Sequence, residues 1–150
     1  MLLALLFAPA LQASPSATIT ASGTVPDTVA VVVRPNQSLE PPTLSDDGSL
    51  LTVANQQTVE IAANVPSQLA LSRLQLAAPQ GVNPSAVGAE IMLSANGSFL
   101  IGATTNEVGN SPFNSGIVVA SVSARFYSTT TQPLPAGTYT ASTVISVLAD

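Results

Sequence analysis

The ionisable side chains of this 150-residue chain are few, and they limit the chemistry that it could perform. There is no His, Cys or Lys, and three Arg stand against eight Asp and Glu, giving a formal net charge of −5. The chain therefore lacks an imidazole base, a thiol nucleophile, a zinc thiolate and a Schiff-base amine. Three Arg on an acidic chain are too few for binding nucleic acid. We expect no catalytic residue, no metal and no cofactor.

Two groups of acidic residues are candidates for a calcium site and for a catalytic carboxylate pair. Asp46-Asp47-Gly48 suggests calcium, but it lacks the alternating oxygen ligands and distal Glu of a calcium loop, which favours an exposed turn. Glu60 and Glu90 suggest a carboxylate pair for glycoside hydrolysis. With only 4 Phe, 2 Tyr and no Trp to stack on sugars, we expect both to be surface carboxylates instead. Arg73 and Arg125 are expected to face solvent or to pair with carboxylates.

The amino terminus has the pattern of a secretory signal peptide. An apolar run from Leu2 to Ala8 leads into small residues, and it is far shorter than the about 20 residues that span a bilayer. We predict a signal peptide over residues 1–13, cleaved after Ala13 or alternatively after Ala10. The mature protein would be exported through the periplasm, without a membrane span. The other interpretation makes the run a buried first strand or helix.

The residue pattern predicts that the rest of the chain forms β-strands in which apolar and polar residues alternate. Residues typical of turns separate these strands. Asn96-Gly97 predicts a tight hairpin, and Asn55-Gln56-Gln57 predicts a turn. The apolar phase slips near Arg73, which indicates a bulge, although Pro66–Ala78 is also compatible with a helix. The predicted strands cover residues 17–25, 28–34, 50–53, 58–63, 69–76, 87–94, 98–103, 117–128 and 138–148.

About nine short strands with Pro and Gly turns and no βαβ alternation predict an all-β fold, a β-sandwich over residues 27–150. A separate strand within residues 14–26 precedes it. That strand places Ala17, Ile19, Ala21, Gly23 and Val25 on one face. An alternating strand at a chain terminus is suited to insertion into a groove of another molecule. Alternation alone favours the other interpretation, an ordinary first strand of its own sheet with Gly23 at a bulge.

The carboxy-terminal stretch PAGTYTASTVISV resembles the last strand of chaperone–usher fimbrial subunits and of the related spore coat U-type secreted proteins. The amino-terminal stretch TITASGTV is similar to the donor strand of that family. Unlike the usual member, this chain has no cysteine pair. The resemblance implies an immunoglobulin-like Greek-key sandwich that lacks one strand and is completed by the donor strand of a neighbouring subunit.

On that resemblance, the partners would be copies of this chain or related subunits, a periplasmic chaperone and an outer-membrane usher. The donor residues would be the five inward residues of the first strand. The acceptor groove would be lined by Tyr139, Ala141, Thr143, Ile145 and Val147.

Two functions follow, and the state of the first strand distinguishes them. The first is a secreted structural subunit of a fimbria or coat, assembled by donor-strand exchange. The alternative is a self-complete, adhesin-like cell-surface sandwich that binds a ligand or a carbohydrate. A detached first strand beside an open groove supports the former, and a first strand paired in its own sheet supports the latter.

Overall fold

The computed structural model describes residues 2–6, 16–22, 28–36 and 40–150, and nearly all of its regular structure is β-strand. A single 3₁₀ turn, Pro84–Ala86, is capped by the side chain of Asn83 within these ranges. The strands are β1 Leu2–Leu6, β2 Ser16–Ser22, β3 Thr28–Pro35, β4 Thr43–Leu44, β5 Leu50–Ala63, β6 Ser67–Leu71, β7 Gln75–Ala77, β8 Val87–Ala95, β9 Ser98–Thr104, β10 Gly109–Phe113, β11 Gly116–Ser128, β12 Thr140–Ser142 and β13 Val144–Ala149.

The strands form two layers, which confirms the predicted all-β sandwich. One layer has the antiparallel order β3-β5-β11-β8-β9, and the other has the order β10-β6-β13. The chain changes layer between β5 and β6, between β9 and β10, between β10 and β11, and after β11. Strand β2 is hydrogen-bonded to a strand of each layer, and the short pair β7–β12 stands apart.

Alternating residues of both layers meet in one core, because every second side chain of a strand points to the same face. Its largest fully buried side chains come from five strands of the two layers. Burying an apolar side chain of this size stabilises the fold by about 1.5–3 kcal/mol. The largest fully buried apolar side chains are those of Val31, Val59, Ile61, Leu69, Leu71, Leu93 and Ile145.

The hairpin predicted at Asn96-Gly97 is confirmed. Ala95 is opposite Ser98, and the two turn residues have φ angles of 52° and 76°, as a type I′ turn requires. A side chain at Gly97 would meet open space, so glycine is favoured there by the positive φ and not by steric crowding.

The turn predicted at Asn55-Gln56-Gln57 is wrong, because β5 continues through it as one 14-residue strand. Asn55 does have a positive φ of 51°, but the irregularity is a bulge. Strand β11 stays paired on both sides of it, with Val122 opposite Gln57 and Ala124 opposite Val53. The long pairing with β11 therefore outweighs a local turn signal.

The apolar phase does slip near Arg73, but the predicted bulge within one strand is wrong, because two strands of different sheets meet there; the alternative helix over Pro66–Ala78 is wrong as well. Strand β6 ends at Leu71 and β7 begins at Gln75, so the buried phase passes from Leu71 to Leu74. The predicted final strand is also interrupted, at Thr143, where β12 ends and β13 begins. Strands β4 and β10 were not predicted from the pattern, and β1 lies in the apolar run for which a first strand was the other interpretation.

Candidate functional site

Strand β2 connects the two layers of the sandwich at one edge. Near its start it runs parallel to β13, with Ser16 opposite Val144. Near its end it runs antiparallel to β3, with Thr20 opposite Val29. One short strand near the amino terminus is thus shared between the two layers, and we call this edge the seam.

The pairing at the seam is short. Strand β2 has two residue pairs with β13 and two with β3. Among the described residues, the edges of β3 from Ala30 to Pro35 and of β13 from Ser146 to Ala149 carry no further strand partner at the seam. Strand β1, which lies in the predicted signal peptide, pairs with β2 from Thr18 to Ser22.

The seam is nevertheless not a strand-wide groove along its whole length. Strands β3 and β13 approach each other with Cα atoms within 8 Å. Two strands with a third hydrogen-bonded between them lie about 9.5 Å apart, which is twice the ordinary interstrand spacing. Where β3 and β13 meet, the layers are therefore too close to admit another strand without separating.

The predicted donor residues fall partly within the described chain. Ala17 lies opposite Ile145 of β13, Ala21 lies opposite Thr28 of β3, and Ile19 lies opposite Leu5 of β1. Gly23 and Val25 lie outside the described residues. The three described positions thus have backbone partners within the same chain.

The predicted acceptor residues share the inward phase of the terminal segment. Ala141, Thr143, Ile145 and Val147 are buried, and Tyr139 is half-buried. The Tyr139 ring packs against Phe126 at a centroid distance of 5.8 Å, and its hydroxyl donates to the carbonyl oxygen of Pro135 at 2.5 Å. Burial raises the pKa of this phenol. These residues form part of the core of this chain.

A pair of hydroxyl residues that the sequence pattern did not single out connects the break in the terminal segment to the break after β6. The hydroxyl of Thr143 donates to the carbonyl oxygen of Ser72 at 2.6 Å, and the Ser72 hydroxyl accepts from the backbone N–H of Val144 at 2.9 Å. The Ser72 N–H also donates to the Val144 carbonyl at 3.0 Å. This network fixes the start of β13, the strand that pairs with β2.

The acidic patterns form a turn and two ion pairs. The Asp47 carboxylate accepts from both the hydroxyl and the N–H of Ser49 and from the hydroxyl of Ser45, which lowers its pKa to about 2. Glu60 pairs with Arg34 at 3.6 Å, and Glu90 pairs with Arg125 at 2.5 Å. The two carboxylates thus each have an arginine partner.

No cluster of potential metal ligands occurs in the ranges that the structure describes. Within the same ranges, no helix has the length and apolar character that a membrane crossing needs.

Two aromatic rings lie on the outer face of β8, β9 and β11. The Phe99 ring, which is 65% exposed, covers Gly102, and the Tyr127 ring covers Gly88. The Glu90–Arg125 ion pair lies between them along the sheet. This arrangement combines apolar ring surface with charged and hydroxyl groups on one face of the sheet.

Comparison with known protein families found no family model that matches the chain, and comparison with curated proteins found no match either.

Proposed function

We propose that this chain is a non-enzymatic β-sandwich of the cell exterior that is closed by its own strand β2 and binds a ligand at its surface. The observation that supports the proposal is the pairing of β2 with both β3 and β13 of the same chain. The approach of β3 to β13 within 8 Å supports it further, because it leaves no strand-wide groove where they meet.

The second candidate is a structural subunit of a fimbria or coat that exchanges its first strand with a neighbouring copy. The short pairing at the seam favours this candidate. Only two residue pairs join β2 to each layer, and the edges of β3 and β13 continue beyond them. A strand from another subunit that paired along the full edges would form more hydrogen bonds than β2 does.

A pair of engineered cysteines at Thr20 and Val29 tests both candidates, because the natural chain has no cysteine. These residues are opposite each other in an antiparallel pair, so their Cα atoms are within disulfide range. Self-closure predicts a monomer of Thr20→Cys/Val29→Cys with an internal disulfide, seen by mass spectrometry as the loss of both free thiols. Strand exchange predicts a ladder of disulfide-linked oligomers on a non-reducing gel.

The matched control is Ser94→Cys/Ser121→Cys, which joins β8 to β11 in the middle of one layer. Both candidates predict an internal disulfide for this control. If the control oxidises and the Thr20–Val29 pair remains reduced in both monomer and oligomer, β2 does not hold this position and the self-closure proposal is wrong.

Of the described surface, the outer face with Phe99 and Tyr127 fits a ligand site best. Binding sites typically combine aromatic surface with a few polar groups that fix orientation, and this face has both. We expect Phe99→Ala to weaken binding on a glycan array, with Leu148→Ala, on the other layer, as the control. Equal binding by the two variants would exclude this face as the site.

A further inference from the structure

Strand β11 extends beyond its neighbour β8 at one end. Its pairing with β8 begins at Ser121, opposite Ser94, because the β8–β9 hairpin turns back at Asn96-Gly97. The preceding segment, Gly116–Ala120, pairs with β5 only. Among the described residues, no strand covers its other side. We call this segment the β11 edge, and its backbone donors and acceptors on that side have no strand partner.

The β11 edge carries the two most exposed β-branched apolar side chains of the described chain. Ile117 is 73% exposed and Val119 is 56% exposed, whereas Val118, in the opposite phase, packs against the core. Ile117 lies beside Ala62 of β5, and the two help to line a shallow apolar depression. As far as the described residues go, both the side chains and the backbone of the edge are therefore available for a contact.

Within the part of the chain that the structure describes, the β11 edge has none of the features that protect other strand edges from pairing with another chain. Soluble proteins protect edges with charges, prolines, bulges or covering segments. The edge of β3 at the seam ends with Arg34 and Pro35, and Pro41-Pro42 precede β4. Gly116–Ala120 contains no charge and no proline, and it begins a run of high β-propensity. Such an edge is typically covered by a partner.

We propose that the β11 edges of two copies of this chain pair antiparallel around a two-fold axis through Val118. Pairing about this midpoint joins all five residues of each edge. It places Ile117 opposite Val119 of the second copy, and cross-strand pairs of β-branched residues stabilise antiparallel strands. A strand edge is the surface that supplies hydrogen bonds to another strand edge, and each copy provides an identical one.

The charges near the edge do not oppose this pairing. The nearest described carboxylate in the register is Glu60, on β5 rather than on the edge itself, and it pairs with Arg34. In the dimer, the two Glu60 side chains would lie on strands outside the central pair. Because a two-fold contact uses each edge once, assembly stops at the dimer. One strand pair is smaller than a standard interface, so the dimer depends on concentration.

Sedimentation analysis of the full chain over a range of concentrations tests the proposal. We expect a monomer–dimer equilibrium for the natural chain, and Val119→Lys should shift the protein to monomer at every concentration. The matched control is Leu148→Lys, which makes the same kind of change at an exposed position of β13 and should leave the dimer unchanged. A natural chain that stays monomeric, or a Val119→Lys variant that dimerises like the natural chain, would overturn the proposal.

A single cysteine tests the position of the axis. Val118→Cys should form a disulfide-linked dimer on mild oxidation, because antiparallel partners have Cα atoms within disulfide range. The control is Ser123→Cys, on the part of β11 that β8 covers. Equal dimer yields from the two variants would contradict the proposed axis.

This dimer is independent of the function proposed above. The Thr20→Cys/Val29→Cys variant with its disulfide closed is unable to exchange its first strand. We expect it still to dimerise through β11, and loss of dimerisation in that variant would assign the contact to the seam instead.

Discussion

The hydroxyl network at Ser72 and Thr143 leads to a quantitative prediction about how the terminal segment is fixed. Replacing Thr143 with Val keeps the shape of the side chain and removes its hydroxyl. Thr143 is only 4% exposed, whereas Ser72, which provides the acceptor, is exposed. The Ser72 carbonyl oxygen then loses the hydrogen bond that it accepts at 2.6 Å.

The expected cost follows from the geometry of this hydrogen bond. A neutral intramolecular hydrogen bond contributes about 1 kcal/mol, and the substitution also removes the contact between the Thr143 and Ser72 hydroxyls at 3.1 Å. No cavity forms, because Val and Thr have similar volumes. We expect Thr143→Val to lower the free energy of unfolding by about 1–2 kcal/mol. For a domain of this size, that corresponds to a melting temperature lower by about 3–8 °C.

Thermal and urea unfolding followed by circular dichroism would measure the effect. The matched control is Thr140→Val, which makes the same change at a half-buried residue of β12. We expect that control to stay within about 0.5 kcal/mol of the natural chain. The reasoning is refuted if Thr143→Val and Thr140→Val are equally stable. A double-mutant cycle with Ser72→Ala should also show a coupling energy, since the two hydroxyls share one network.

Three further predictions concern other parts of the molecule. Because the Ser49 side chain is the largest cause of the low Asp47 pKa, Ser49→Ala should raise that pKa from about 2 toward 3.8, as measured by NMR titration of the carboxyl group. The stability that this carboxylate contributes should be present above about pH 3.8 and lost as the pH falls through about 2, whereas an Asp47→Ala variant should lack this pH dependence in thermal unfolding. Ile145→Ala should cost about 2–5 kcal/mol in chemical unfolding because the side chain is fully buried, whereas Leu148→Ala should cost less than about 0.5 kcal/mol; equal costs would contradict the inward phase of β13. A Cβ at Gly109 would overlap the carbonyl oxygen of Gly102, so Gly109→Ala should reduce the melting temperature more than Gly97→Ala, which meets open space and costs only about 1 kcal/mol of backbone strain.

Structural features that depend only on a few neighbouring residues were predictable from the sequence. Asn96-Gly97 forms its hairpin because both turn residues tolerate positive φ and the flanking strands pair at once. The phase slip near Arg73 was also predictable, because a change in alternation is visible along the chain.

Features that depend on distant residues were not predictable. Asn55 has the positive φ of a turn residue, yet β5 continues through it, because β11 pairs with β5 on both sides of Asn55. Strand β10 contains Gly, Asn and Pro, and its strand conformation depends on pairing with β6. The break at Thr143 depends on Ser72, which is far away in sequence.

At the candidate site, the sequence predicted which residues of the terminal segment point inward, but it did not predict which strands β2 pairs with. Alternation along the terminal segment correctly indicated which residues turn inward. It did not decide whether β2 pairs within its own chain, because an alternating strand is suited to both partners. That choice depends on register and spacing between layers, which only the three-dimensional arrangement contains.

The parallel pair of Ser16 with Val144 has a consequence for the order in which the fold is made. Nearly the whole sequence lies between these two residues, so β2 is synthesised long before its partner β13 exists. Contacts between such distant residues slow folding, because a long loop must close before they form. The sandwich therefore stays open along this side until β13 has docked. A chain truncated just before Val144 should be sensitive to protease, and the chain that includes the last strand should be resistant.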